Sequence, residues 1–165
     1  MATLDFTGDA VAGAHPPTRF EGGRSKRVDM YRRLKISDII AADATMTTNG
    51  YITANDVIEA IHAPIGFWFE GALIRIITSC TASVNVEVGL DGGAEAIASF
   101  DVDGSAGAAK ATATGDTWAH GKYFAAADTI DVQFITANCV VGELELFVWG
   151  TQLVLGLTTD FTTGA

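Results

Sequence analysis

The three histidines have the most versatile chemistry in this sequence, and they stand far apart. His15 lies beside two prolines, His62 ends an apolar run, and His120 precedes a glycine. No two of them share the spacing of a metal site, and no neighbouring residues mark a nucleophile with its base. The sequence therefore predicts a protein that is not an enzyme and that uses no metal or other cofactor.

A short acidic segment, Asp101–Ser105, opens like a calcium-binding loop. A helix–loop–helix calcium site requires a glutamate at its twelfth position, and Thr112 stands there. We therefore expect an ordinary acidic turn.

The two cysteines, Cys80 and Cys139, each follow an apolar run. One interpretation is that both are buried free thiols that pack as small hydrophobic side chains. The other is that two strand ends bring them together as a disulfide. Residues 1–10 have no signal-peptide pattern, so we expect an unsecreted protein with reduced thiols.

The three tryptophans offer aromatic faces that can stack on sugar rings. Trp68 lies between two phenylalanines and Trp149 ends an apolar run, so we expect both in the core or in a subunit interface. Trp118 flanks a turn and is the one that we expect to be exposed. It is therefore the candidate carbohydrate contact.

Charge is distributed unevenly along the 165 residues, which carry 10 basic and 20 acidic side chains and a net charge of −10. The acidic body, residues 36–165, repels nucleic acid and acidic membrane surfaces, so neither is an expected partner. A basic segment suits docking to an acidic surface, including that of a second copy, although a solvated linker would have the same composition. The candidate contact residues are Arg19, Arg24, Lys26, Arg27, Arg32 and Arg33.

Alternating apolar residues predict strands rather than helices between residues 28 and 155. Residues 84–88 and 129–134 alternate most clearly, and Gly, Asn and Asp turns separate about eight such runs. This spacing is typical of an all-β fold, and we expect one antiparallel β-sandwich with almost no helix. The best helix candidate is 55–61, and the small-residue run 104–115 is expected to be a long mobile loop.

The predicted sandwich, residues 28–155, is flanked by two segments of different composition. Residues 1–27 contain a Pro-Pro pair and a Gly-Gly pair, which predict an extended N-terminal arm. Residues 156–165 are rich in Thr and Gly, and we expect a C-terminal tail.

Four strand-and-turn motifs follow one another inside the predicted sandwich. They are TANDVIEAIHAPIG at 53–66, VNVEVG at 84–89, AADTIDV at 126–132 and ELELFV at 143–148. In order and spacing they resemble a signature of small structural proteins from tailed bacteriophages, the capsid cement or decoration proteins. The resemblance implies a jelly-roll-like sandwich on the outside of the virion head that bridges major capsid protein subunits.

The same resemblance implies that the chain is made in the bacterial host cytoplasm. A homotrimer is expected before a dimer, because 48% of the residues are hydrophobic and a three-fold capsid position would suit three copies. The alternative function is a phage tail or fibre module that binds a host receptor or carbohydrate through Trp118.

Overall fold

The computed structural model describes residues 3–5, 25–91 and 93–153. These ranges contain ten β-strands and two short α-helices. The strands are β1 (Thr3–Asp5), β2 (Ser25–Lys35), β3 (Val57–Ala63), β4 (Phe67–Thr78), β5 (Asn85–Gly89), β6 (Ile97–Asp101), β7 (Ala109–Ala111), β8 (Lys122–Tyr123), β9 (Asp128–Ile135) and β10 (Glu143–Leu153). The helices are α1 (Ile36–Ala42) and α2 (Ala44–Asn49), and neither of these described helices could span a membrane.

The strands form two sheets that enclose the core. Sheet 1 has the order β1-β3-β9-β5-β6, and sheet 2 has the order β2-β10-β4-β7, with β8 also paired to β4. The pairing is antiparallel except between β1 and β3. The chain passes back and forth between the sheets in the manner of a jelly roll, which confirms the expected all-β sandwich.

Alternating residues of the central strands build the core. Ile130, Val132 and Phe134 point inward from β9 and meet Leu144, Leu146 and Val148 from β10. All six are at most 1% exposed. The period-two pattern of the sequence therefore becomes one apolar face on each sheet.

The helices α1 and α2 form a corner between β2 and β3 that the sequence analysis did not predict. Asp43 caps α2, because its carboxylate accepts hydrogen bonds of 2.8 Å from the amides of Thr45 and Met46. Ile36 and Met46 anchor the corner in the core. Each helix has fewer than eight residues, so neither could establish a helical repeat in the sequence.

The strand-and-turn motif at 53–66 is confirmed as a strand, because Val57–Ala63 is β3, and the helix candidate at 55–61 is wrong. Asn55 has a φ of +75°, which is incompatible with the extended backbone of an N-cap. Hydrogen bonding on both sides makes this segment a strand, because β3 pairs with β1 on one side and with β9 on the other.

The expectation of a long mobile loop at 104–115 is also wrong in part. Residues Ala109–Ala111 form β7 on the edge of β4, and the Lys110 ammonium donates to the carbonyls of Ala98 and Ser99. Two strands lie inside the segment assigned to the arm, because β1 is Thr3–Asp5 and β2 begins at Ser25. The rest of the arm, residues 1–2 and 6–24, and the predicted tail, residues 156–165, lie outside the described residues, so those two assignments stay predictions.

Candidate subunit-contact surface

The outer face of sheet 2 collects side chains from three paired strands, β2, β10 and β4. The register of the strands aligns these side chains in rows across the sheet. Glu145 pairs with Arg33 and Arg75, and Phe147 pairs with Tyr31 and Leu73. The members of this face are Arg27, Asp29, Tyr31, Arg33 and Lys35 from β2, Glu143, Glu145, Phe147, Trp149 and Thr151 from β10, and Trp68, Glu70, Leu73 and Arg75 from β4.

A row of paired charges crosses one half of this face. Glu145 accepts a 3.0 Å hydrogen bond from Arg75 Nε and a 2.8 Å hydrogen bond from the Tyr31 hydroxyl, and Arg33 pairs with Glu143. Burial alone would raise the pKa of Glu145, but the hydrogen bonds from Arg75 and Tyr31 and the nearby guanidinium charges hold it below its usual value. The side chains of this row are therefore charged, and the acidic groups pair with basic groups of the same row.

Half-buried apolar side chains occupy the middle of the same face. The Phe147 ring lies 5.0 Å from that of Tyr31, with a 45° tilt, and the Arg75 guanidinium lies 5.9 Å from the Phe147 centroid. The Trp149 indole covers Gly71, where a Cβ would overlap the ring. A solvent-facing sheet face usually carries polar residues here, so this stripe is suited to contact with another protein.

Exposed apolar side chains extend the stripe at the end of the sheet where β2 begins and β10 ends. Ile65, Trp68 and Tyr123 are 54%, 38% and 36% exposed, and we call these three residues the aromatic end. Trp68 and Tyr123 are cross-strand neighbours in the β4–β8 pair. The Trp68 ring lies on Gly121, which has a φ of +94° and leaves no room for a Cβ.

Trp118 is buried, so the expectation that it is exposed is wrong. It is 3% exposed and packs edge-on against Phe69 at 5.1 Å and Phe124 at 5.7 Å. Its amide donates a 2.8 Å hydrogen bond to the carbonyl of Glu95, which draws the loop over the sandwich. Trp118 therefore cannot be the carbohydrate contact that the alternative function requires.

The six basic residues predicted to make contacts do not share one surface. Arg27 and Arg33 are exposed on the outer face, and Arg27 pairs with Asp29 at 3.4 Å. Arg32 is 7% exposed on the opposite side of β2, so the surface does not present it in this conformation. The remaining predicted residues are Lys26, whose backbone pairs with Gln152, and Arg19 and Arg24, which lie outside the described residues.

The carboxylates of the acidic segment 101–105 accept hydrogen bonds from the backbone. The Asp103 carboxylate accepts a 2.6 Å bond from the amide of Ser83, and the Asp101 carboxylate accepts a 3.0 Å bond from the amide of Asp103. The Asp101 carboxylate thus supports the turn itself, and the Asp103 carboxylate ties the turn to the β4–β5 connection. Over the described ranges, no group of three His, Cys, Asp or Glu side chains is arranged to hold a metal ion.

Comparison with known proteins gives matches among solved structures only. No family model matches the sequence, and no curated protein matches it. A chain in the structure of the capsid of Ralstonia phage GP4 is 14% identical, with a TM-score of 0.59 over 92% of this chain and 98% of that one. A chain of the capsid asymmetric unit of cyanophage Pam1 is 15% identical, with a TM-score of 0.54 over 84% of this chain and 92% of that one. At these identities, the likeness shows a shared fold.

Sequence analysis placed Trp68 and Trp149 in the core or in a subunit interface, and the structure puts both on the outer face, but the stripe as a whole was not predicted although a signal for it was present. Residues 147–149 and 67–69 are apolar at consecutive positions, so both faces of each strand carry apolar side chains. Such a run indicates a strand that is covered on both sides. In this fold one side faces the core, and the other side is the outer face of sheet 2.

Proposed function

We propose that this chain is a structural protein of a bacteriophage virion, and specifically a capsid cement, or decoration, protein. The observation that carries the proposal is the match to a chain of the Ralstonia phage GP4 capsid over 98% of that chain. The match covers 92% of this chain and 98% of that one, so the two chains are of similar size. The role is structural and not catalytic, consistent with the scattered histidines.

In this proposal the chain binds the outer surface of the head and bridges neighbouring major capsid protein subunits. A protein that binds only the assembled lattice stabilises it by mass action, by RT ln(1 + [L]/Kd) per site. The outer face of sheet 2 supports such a contact, because apolar and aromatic groups lie beside charges that are already paired.

The aromatic end is the part of this face that we assign to the major capsid protein. Thr151 of β10 pairs with Arg27 of β2 on one side and with Trp68 of β4 on the other. The exposed indole therefore lies two strands away from Arg27, which is the first basic residue whose side chain the structure describes. The basic segment that precedes β2 therefore leaves the sandwich close to the aromatic end. The proposal adds Arg19, Arg24 and Lys26 as charges that dock on an acidic partner.

Assembly and location complete the proposal. The chain is made in the host cytoplasm and ends on the exterior of the virion, as a homotrimer at a three-fold position. Its net charge of −10 disfavours nucleic acid and acidic membranes as partners.

Immunogold labelling of intact particles tests the location. A cement protein gives label over the whole head, whereas label at the tail or at one vertex would contradict the proposal and favour a tail or fibre module. The burial of Trp118 removes the site that sequence analysis gave to that alternative.

Rebinding to stripped particles tests the contact surface. The double variant Trp68→Ser with Tyr123→Ser should bind more weakly than the native chain. Val140→Ser with Val141→Ser is the matched control, because Val140 and Val141 are 47% and 57% exposed at the opposite end of sheet 2. Equal binding by the two double variants would contradict the assignment of the aromatic end.

A further inference from the structure

The two cysteines lie in neighbouring connections at the end of the sandwich that carries α1. Cys80 follows β4, and its amide donates a 2.9 Å hydrogen bond to the carbonyl of Val102. Cys139 lies between β9 and β10 and exchanges two 2.9 Å backbone hydrogen bonds with Ile52. Both are free thiols, and they are 7% and 0% exposed. Each sulfur is therefore held on a backbone that is fixed by its own hydrogen bonds.

Three contacts bring the two connections together. The Thr81 hydroxyl accepts hydrogen bonds from the amides of Val140, at 2.8 Å, and Val141, at 3.4 Å. Gly142 has a φ of +134° and lies so close that a Cβ there would overlap the Cys80 sulfur. Thr81, next to Cys80, thus binds Val140 and Val141, which follow Cys139. Gly142 has no side chain that would collide with the Cys80 sulfur.

The two thiols are themselves in hydrogen-bonding contact. The Cys80 thiol donates to the Cys139 sulfur, which lowers the pKa of Cys139, against the opposing effect of burial. The same contact, together with burial, raises the pKa of Cys80. The Cys139 thiol also donates a 3.4 Å hydrogen bond to the carbonyl of Val141, so its sulfur contacts the exposed segment at Val140 and Val141. This contact favours Cys139 as the first thiol to react, with Cys80 as the resolving thiol.

We propose that Cys80 and Cys139 are an oxidative modification site, where a small-molecule disulfide such as oxidised glutathione converts the thiol pair into an intramolecular disulfide. The Cys139 thiolate attacks one sulfur of the oxidant, forms a mixed disulfide and releases one thiolate. Cys80 then loses its proton to water and attacks the Cys139 sulfur, which releases the second thiolate. The protein loses two electrons and two protons, and the oxidant is reduced to two thiols.

Access for the oxidant comes from the segment that covers the pair. Val140 and Val141 are exposed, and a single hydroxyl, that of Thr81, holds both of their amides. Local opening of such a segment requires far less free energy than global unfolding.

The bond would tie the β4–β5 connection to the β9–β10 connection and close a loop of about 60 residues. A loop of this length restricts the unfolded chain strongly, and we expect the thermal midpoint to rise by about 10 °C. The timing rests on the proposed function: thiols stay reduced in the host cytoplasm, and the bond forms when released particles reach an oxidising exterior.

The test uses the purified full chain and needs no capsid, so its failure is distinguishable from failure of the proposed function. The chain is incubated with oxidised glutathione, then denatured, alkylated and weighed by mass spectrometry. We expect both thiols to escape alkylation together, with a mass lower by two hydrogens. The thermal midpoint should rise, and dithiothreitol should reverse both effects.

The single variants Cys80→Ala and Cys139→Ala are the controls, and neither should gain thermal stability on oxidation. A parallel incubation in urea below the unfolding transition opens the covering segment. If both thiols of the native chain are still alkylated after that incubation, the proposal is wrong. Stable glutathione adducts without the internal bond would also overturn it.

Discussion

Asp131 should make the stability of this protein fall as the pH rises, against the usual trend for carboxylates. The side chain is 2% exposed on β9. Burial raises its pKa to about 6, and the charges of Glu59 and Asp91 add to the increase, while hydrogen bonds from Thr129 and the Asp91 amide oppose it. The folded state therefore holds this proton more tightly than the unfolded chain does.

The size of the effect follows from the two pKa values. Moving from 3.8 in the unfolded chain to about 6 in the fold is worth up to about 3 kcal/mol. This stabilisation is complete below the unfolded pKa and is lost as the pH rises through the folded pKa. About 2 kcal/mol of it should disappear between about pH 4.5 and pH 8.

Urea unfolding of the native chain and of Asp131→Asn across that pH range measures this loss. The difference in unfolding free energy between the two proteins should change by about 2 kcal/mol, with the native chain losing stability relative to the variant as the pH rises. Comparing the two proteins removes the contribution of Glu145, whose lowered pKa acts in the opposite direction. A difference that stays constant with pH would refute the reasoning.

Three further predictions concern the apolar groups and the arm. Gly71→Ala should displace Trp149, shift its fluorescence and cost about 1–3 kcal/mol in urea unfolding; an unchanged emission spectrum would contradict this. Trp118→Ala should cost about 3–5 kcal/mol in the same assay, whereas Trp68→Ala should cost less, because this residue is 38% exposed, and should weaken rebinding to particles; equal losses of stability would contradict the burial argument. Deletion of residues 2–24 removes the edge strand β1 but stops before Ser25 begins β2, and it should leave a folded sandwich because β3 keeps its pairing with β9; particle binding should become weaker and less sensitive to salt, and undiminished binding at every salt concentration would show that the arm is only a linker.

The sequence alone predicted the strands in which apolar and polar residues alternate, because this alternation does not depend on which strands lie next to them. Residues 84–88 and 129–134 alternate because each strand has one buried face, and that period survives any arrangement of neighbours. The strand β3 was predicted from its β-branched residues, but they are apolar on both faces, so the sequence also allowed a short helix at 55–61. The pairing with β1 and β9 decides between the two structures. β7 escaped notice because alanine has weak strand propensity and the edge of β4 supplies its hydrogen bonds.

The candidate surface was harder to predict than the fold. Which tryptophan is exposed depends on how loops cross the sandwich: the segment that holds Trp118 folds inward, whereas Trp68 faces outward on a strand. The exposed position of Arg33 and the buried position of Arg32 follow from the register of β2 on β10. A single residue of shift would exchange them, and the sequence alone does not set that register.

The pairing of Ser25 with Leu153 places the start of β2 and the end of β10 side by side. The segments joined to Ser25 and to Leu153 therefore both meet the sandwich at the end that carries Trp68, and a peptide inserted just before Ser25 or just after Leu153 would crowd the surface that we propose for the capsid contact. β2 is 11 residues long, so the α1–α2 corner lies about 35 Å away at the other end of the strand. The exposed turn at Asn49 and Gly50 in that corner is consequently the better position to display foreign antigens on a particle.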